Sequence, residues 1–275
     1  EGFNIADLSW GTASAKSINL SFQVYCSLTG TFAGSLRNSD TTRSYPFTYT
    51  ISSANTWTQI SITIPGDTSG TWLFNNGIGI NLHLSFGAGG NYNGTANSWQ
   101  GGNYITTSGV TNLITTNSAT FYITGVQLEA GTTASPFEYR QYGTELFLCQ
   151  RYYVEIPNIS GTSTGVGRIT GTVNSTSGNP IVGNLYLPVP MRAAPGVTAY
   201  GGGKSGSGSI STYSGGSGSQ VTYNTNVSGL TVPFISANMF ALNLASIGST
   251  QSGYSTWTDM GWASSQLAFV ANAEL

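Results

Sequence analysis

Residues 119–155 read ATFYITGVQLEAGTTASPFEYRQYGTELFLCQRYYVE, and the change of period inside this stretch decides the architecture. Phe121 and Ile123 alternate with Tyr122 and Thr124, which predicts a strand. Ser135-Pro136-Phe137-Glu138 has the form of a helix start. Ser135 can cap, Pro136 suits the first helical position, and Glu138 can reach back to the cap. From Tyr142 the period becomes helical: Tyr142, Leu146, Cys149 and Tyr153 fall at i, i+4, i+7 and i+11, on one stripe. Such a stripe serves either packing against the protein's own sheets or a seam between identical chains. Packing is the plainer reading, because a helix this short is marginal and any amphipathic helix carries a stripe. A strand, a short helix and a new strand divide the chain into a domain over 1–134, a linking turn and helix over 135–153, and a second domain over 154–275.

Upstream, strands follow one another. Ile18, Leu20, Phe22 and Val24 alternate with Asn19, Ser21, Gln23 and Tyr25. Tyr45, Phe47, Tyr49 and Ile51 alternate with polar or proline residues, as do Ile60, Ile62 and Ile64, and Ile80, Leu82, Leu84 and Phe86. Each reads as a half-buried strand. Leu28-Thr29-Gly30, Pro65-Gly66-Asp67 and Asn75-Asn76-Gly77 are turn signals between them. Short antiparallel strands so punctuated predict a β-sandwich or jelly roll. Residues 87–107 form a Gly/Asn-rich loop of a length that is uncommon without a function. Downstream, residues 184–189, 196–200, 221–223, 230–232, 240–244 and 267–270 are strand candidates for a second β-sandwich. Residues 201–220 are nearly all Gly and Ser and read as a flexible exposed loop. The fold class is mostly β.

Only 7% of the 275 residues are charged and the net charge is −2, while aromatics reach 12%. A nucleic-acid binder needs a basic stripe, and an anionic membrane surface needs a basic patch; neither is present. No apolar run is long enough to span a membrane, so no membrane insertion is expected. Hydroxyls and amides beside aromatics suit a neutral partner such as a sugar, although a secreted or viral β-protein looks much the same without one. Cys26 and Cys149 are expected to be free, buried thiols in a chain that folds in a reducing cytosol.

Sugar recognition needs rings to stack on pyranose faces, with amides and hydroxyls for the OH groups. Tyr92, Trp99 and Tyr104 in the 87–107 loop meet that description. So do Tyr254, Trp257 and Trp262 in GYSTWTDMGW, a segment without strand alternation that also holds Asp259. For each ring the alternative is packing over its own sandwich. Trp10, Trp57 and Trp72 stand beside strand or turn residues and read as core. His83, the only histidine, projects from the polar face of a strand. It is either a plain surface residue or a hydrogen-bonding group on a face shared with Asn81, Ser85, Asn19 and Gln23. Glycan hydrolysis uses two carboxylates across the scissile bond, and no such pair is evident. Glu138 and Glu145 have helix-start roles and Asp67 a turn role. There is no nucleophile elbow and no phosphate loop. No catalytic residue is assigned, and the chain is not expected to be an enzyme.

Residues 121–153 resemble a segment that recurs in tail-fibre and receptor-binding proteins of tailed bacteriophages and prophages. DLSWGTASAKSINLSFQVYCSLTGTFAGSLRNS, RSYPFTYTI and GDTSGTWLFNNGIGI resemble the carbohydrate-binding-like jelly-roll module that precedes it. LPVPMRAAPGVT and the terminal AEL resemble the opening and close of a fibre-tip domain. The resemblance is dense from Asp7 to Tyr153 and thins to two short anchors in the last third. It implies a non-enzymatic homotrimeric adhesin of the virion, made in the bacterial cytoplasm, that touches a host cell-surface glycan. A glycan depolymerase and a purely structural fibre segment are the alternatives. Other tail-fibre or baseplate proteins would be met through a region N-terminal to Glu1. Sugar-binding jelly rolls of this kind often hold a structural Ca2+, for which Asp7 and Glu129 could supply oxygen ligands. No other cofactor is expected.

Overall fold

A computed structural model describes residues 1–156, 167–172, 181–201, 209–214, 225–226, 230–244, 255–260 and 267–273. The chain is mostly β and divides into two compact units, with the boundary between Tyr139 and Arg140. All strand ladders among the described residues are antiparallel.

The first unit is a two-sheet sandwich. One sheet has the order β4-β1-β7, from β1 (Ile18–Cys26), β4 (Thr58–Ile64) and β7 (Phe121–Ala130). The other has the order β5-β2-β3-β6, from β2 (Gly30–Arg37), β3 (Arg43–Ile51), β5 (Asn81–Ser85) and β6 (Gln100–Gly101). The alternation in β1 turns Ile18, Leu20, Phe22, Val24 and Cys26 inward, and all are fully buried. Phe32, Leu36, Phe47 and Ile51 meet them from the second sheet. Gly34 is needed there: the Phe47 ring lies so close that a Cβ would stand 2.5 Å from it.

The bulge in β7 decides which side chains face outward. Its register with β1 slips between Ser21 and Gln23, and Gly125 takes φ +60°. Two residues therefore oppose one, and the inward phase changes. Leu128 and Ala130 share the core side with Phe121 and Ile123, as partners of Leu20, Ile18, Cys26 and Val24. Tyr122 and Thr124 are left on the outer side, opposite Tyr25 and Gln23.

The Ser135-Pro136 helix start is not formed. The Ser135 amide and hydroxyl both donate to the Glu129 carboxylate instead, and the Glu138 amide donates to Gln127 Oε1 at 2.8 Å. These contacts hold residues 135–138 to the end of β7. The helix α1 begins later, spanning Tyr142–Gln150, with no side-chain cap.

The second unit holds α1 and three antiparallel sheets. β11 (Gly196–Gly201), β17 (Leu267–Asn272) and β8 (Tyr153–Ile156) form one, in that order. β10 (Ile181–Tyr186), β15 (Met239–Leu244) and β14 (Leu230–Ile235) form the next. β13 (Thr225–Asn226), β12 (Ser209–Ser214), β16 (Ser255–Met260) and β9 (Gly167–Thr172) form the last. β12 lies inside the Gly/Ser stretch expected to be a loop; Ile210, Thr212 and Tyr213 give it a β-favouring centre. The strand expected at 221–223 lies outside the described residues.

Candidate functional site

The first unit carries two groups of outward side chains. The outer face of sheet β4-β1-β7 is laid out in rows by its register. Tyr25 stands opposite Tyr122, and Gln23 stands between Gln59 and Thr124. Trp57 precedes β4 and brings its ring to Tyr25: centroids are 5.6 Å apart for Tyr25–Trp57 and 5.8 Å for Tyr25–Tyr122. Trp57 is 50% exposed and Tyr122 55% exposed. Gln23, Gln59 and Thr124 in the next row are exposed. The lower rows are tied up internally. The Ser61 hydroxyl donates to Asn19 Oδ1, and the Thr63 hydroxyl donates to the Thr132 carbonyl. One half of the face is thus an aromatic row beside an amide row, open to solvent.

This corrects the reading of Trp57 as core. Trp57 comes just before the alternating run of β4, and its ring lies over Tyr25 on the outer side. Tyr25 and Tyr122 were visible in the sequence as rings on the polar sides of two strands. What linked them was the register set by the Gly125 bulge.

The second group lies on the outer side of sheet β5-β2-β3-β6. His83 is opposite Ser35, and Asn81 is opposite Arg37. His83 therefore shares its face with Asn81 and Ser85, as expected, whereas Asn19 and Gln23 belong to the other sheet. His83 is half-buried rather than a free surface residue. Arg37 Nη2 stands 2.6 Å from His83 Nε2, and Arg37 Nη1 donates to Asn103 Oδ1. Because Arg37 can only donate, His83 Nε2 accepts, and the ring proton sits on Nδ1. Burial lowers the pKa of His83 below its ordinary value, and the Arg37 charge lowers it further. Burial also lowers that of Arg37, opposed by nearby Tyr92.

The loop over this face brings some expected residues to it and removes others. Tyr92 closes a short 3-10 turn, Gly90–Tyr92, and is 43% exposed. Tyr104 is half-buried and pinned: the Ser35 hydroxyl donates to its carbonyl at 2.7 Å, and its ring lies against Gly94 and Gly102. Trp99 is turned inward, which contradicts its reading as a loop ring available for stacking. Its ring meets Trp10, Trp72 and Tyr45 at centroid distances of 5.3, 5.5 and 5.2 Å, and Nε1 donates to the Pro65 carbonyl at 2.7 Å. An indole that is offered both a ring cluster and a carbonyl gains more inside than in water. Trp10 and Trp72 are buried, as expected.

In the second unit, Trp257 and Asp259 lie on β16, in register with Tyr213 and Ser211 of β12 and with Thr170 and Arg168 of β9. Their segment is a strand, although no strand alternation is read from its sequence. Tyr254 and Trp262 lie outside the described residues. The helical stripe is only partly helical: Tyr142, Leu146 and Cys149 are on α1, while Tyr153 opens β8. All of them are exposed, and so are Phe147 and Leu148. Cys149 is free but exposed, not buried as expected; Cys26 is free and buried.

Three acids of the first unit are engaged by neighbouring donors. Asp67 is 1% exposed and receives both Arg43 Nε and Nη2, at 2.7 and 2.6 Å. Asp40 accepts from Thr42, and Glu129 from Ser135. Hydrogen bonding from Ser135 and Gln127 lowers the pKa of Glu129. Among the described residues no three or more His, Cys, Asp or Glu side chains gather as metal ligands, and of the two oxygen donors expected for a cation, Asp7 and Glu129, the latter accepts from Ser135.

No protein-family model, curated protein or solved structure matches this chain. The likeness to tail-fibre proteins therefore rests on the sequence motifs alone. Among the described residues no helix is long and apolar enough to cross a membrane.

Proposed function

We propose that this chain is part of a phage tail-fibre adhesin, which binds a saccharide of the bacterial surface through the Tyr25–Trp57–Tyr122 row and acts as a homotrimer in the virion. The observation that carries the reading is the pairing of half-exposed rings with an exposed amide row on one rigid sheet. Rings cover the C–H faces of a sugar, and Gln23, Gln59 and Thr124 can exchange hydrogen bonds with its hydroxyls. Three weak copies on one fibre bind a cell through avidity. The exposed apolar residues of α1 favour self-association, since a short helix with no buried side chain is marginal alone. Binding without cutting is favoured by the engagement of Asp40, Asp67 and Glu129 elsewhere.

The test is binding of labelled protein to host cells and to a glycan array, with Trp57→Ala and Tyr122→Ala beside the parent. Loss of binding with trimer mass unchanged supports the reading. Unchanged binding by the double variant refutes the site. Release of reducing ends from host polysaccharide would favour the depolymerase instead. The second reading, a structural fibre segment, is favoured by the same rings, because Tyr and Trp are enriched at protein contacts. Under it the double variant would lose its trimer, and the array would stay blank.

A further inference from the structure

We propose that Arg37, His83 and Asn103 form a second binding site, separate from the aromatic row, for one oxyanion: the carboxylate of an acidic sugar or a phosphoryl group.

The first unit contains two half-buried arginines, and they are treated differently. Arg43 is neutralised by Asp67 in a two-pronged pair. Arg37 is given a histidine and an amide, and no carboxylate pairs with it among the described residues. A partly desolvated cation without a counter-charge is costly, and an anion is its natural complement. The donors are also in surplus. Two of the five guanidinium N–H groups are used, and Nε is buried without a partner. His83 adds Nδ1–H, because its Nε2 is occupied by Arg37. The hydroxyls of Ser85 and Thr106 are buried and unpartnered as well. Ser85 lies two residues along β5 on the face of His83. The Thr106 amide donates to the Tyr92 carbonyl. Buried polar atoms left without partners are uncommon and call for an explanation. A group rich in donors and empty of carboxylates fits an acceptor with negative charge, and the planar guanidinium fork suits a carboxylate or phosphate. The proposal does not depend on sugar stacking at Trp57, which stands on the other sheet.

His83 is the only histidine, so its imidazole proton resonances report on the site in the untagged full chain without assignment. The protein would be titrated with sodium glucuronate, inorganic phosphate and glucose, each against sodium chloride at matched ionic strength. Glucuronate or phosphate is expected to move the His83 resonances saturably and to raise the pH at which they titrate, while glucose does neither. The stronger of the two anions names the source. Arg37→Gln should weaken anion binding by about tenfold or more. Asn103→Ala, at an exposed position, should weaken it by less and serves if Arg37→Gln fails to fold. Equal responses to glucose and glucuronate, or no response beyond chloride, would overturn the proposal. So would an anion response that survives in both variants. None of these results bears on Trp57→Ala, so the two sites stand or fall separately.

Discussion

Replacing Trp99 and Trp57 separately should produce opposite phenotypes, although both are tryptophans in loops of one sandwich. Trp99 contacts three rings and donates to Pro65. Its removal leaves a void among Trp10, Trp72 and Tyr45 and an unpaired carbonyl. Large-to-small changes of this type cost about 3 kcal/mol or more. For a unit of this size that lowers the melting midpoint by about 10 °C. Trp57 has one ring neighbour and is half in water, so Trp57→Ala should cost about 1 kcal/mol. Its effect on binding should be the larger one. A central aromatic anchor is worth about 2 kcal/mol, or about thirtyfold in affinity per site. Trp99→Ala, assayed below its melting midpoint, should keep glycan binding near the parental value. The assays are calorimetry for stability and glycan-array titration for affinity. Should Trp99→Ala abolish binding in a folded protein, or Trp57→Ala melt the fold, the division between core ring and contact ring is wrong.

Asp67→Ala leaves Arg43 half-buried without its counter-charge and should destabilise by about 3–5 kcal/mol, whereas the Arg43→Met, Asp67→Ala pair recovers most of the loss; a double-mutant cycle by urea melting measures the coupling. His83 titrates below its ordinary value of 6.5 in the folded state, so the unfolded chain binds the proton more tightly. The stability from neutral His83 is present above about 6.5 and is lost as pH falls through that value towards the lowered one. The charged and titratable groups beside His83 are Arg37 and, close to Arg37, Tyr92. Melting midpoints from pH 7.5 to 5 should therefore fall more steeply for the parent than for His83→Gln. Leu146→Asp puts a charge into the exposed apolar surface of α1 and, on the proposed homotrimer, should shift the mass in solution from trimer to monomer, read by light scattering. Gly125→Val asks a β-branched residue to hold φ +60° and should cost more than about 1 kcal/mol. It should also disturb the Tyr25–Tyr122 pair, which circular dichroism of the aromatic bands detects.

The sandwich was legible because β1, β3, β4 and β5 alternate apolar with polar or proline residues, and that alternation of residue type reads as period 2 even where Asn19, Ser21, Ser44 and Ser85 on the polar side are buried as well. β2 escaped for the opposite reason. Phe32, Ala33, Gly34, Ser35 and Leu36 are all buried, so the strand carries no alternation to read. The late start of α1 has a similar cause. Ser135 looked like a cap, but its amide and hydroxyl both donate to the Glu129 carboxylate near the end of β7, which ties the segment back to that strand where a helix was expected to start. No local rule contains that contact.

Site residues follow the same division between local and distant information. A loop composition of Gly, Asn and rings is equally compatible with a ring turned out or in. For Trp99 the answer came from Trp10 and Trp72, residues far away in sequence that offered it edges to pack against. Arg37 was silent because a lone arginine near a strand end says nothing until β5 sets His83 beside it. Tyr25 and Tyr122 were each on the polar side of a predicted strand, an unusual place for two large rings. A ring on a polar face needs water, a ligand or a partner chain on its other side. That anomaly was the sequence's best pointer to a contact surface, and a better one than the aromatic content of the long loop. The bulge at Gly125 completes the row: if the same residues paired without it, Tyr122 would fall opposite Cys26 and face the core, Phe121 would face solvent, and Tyr25 would keep only Trp57 beside it.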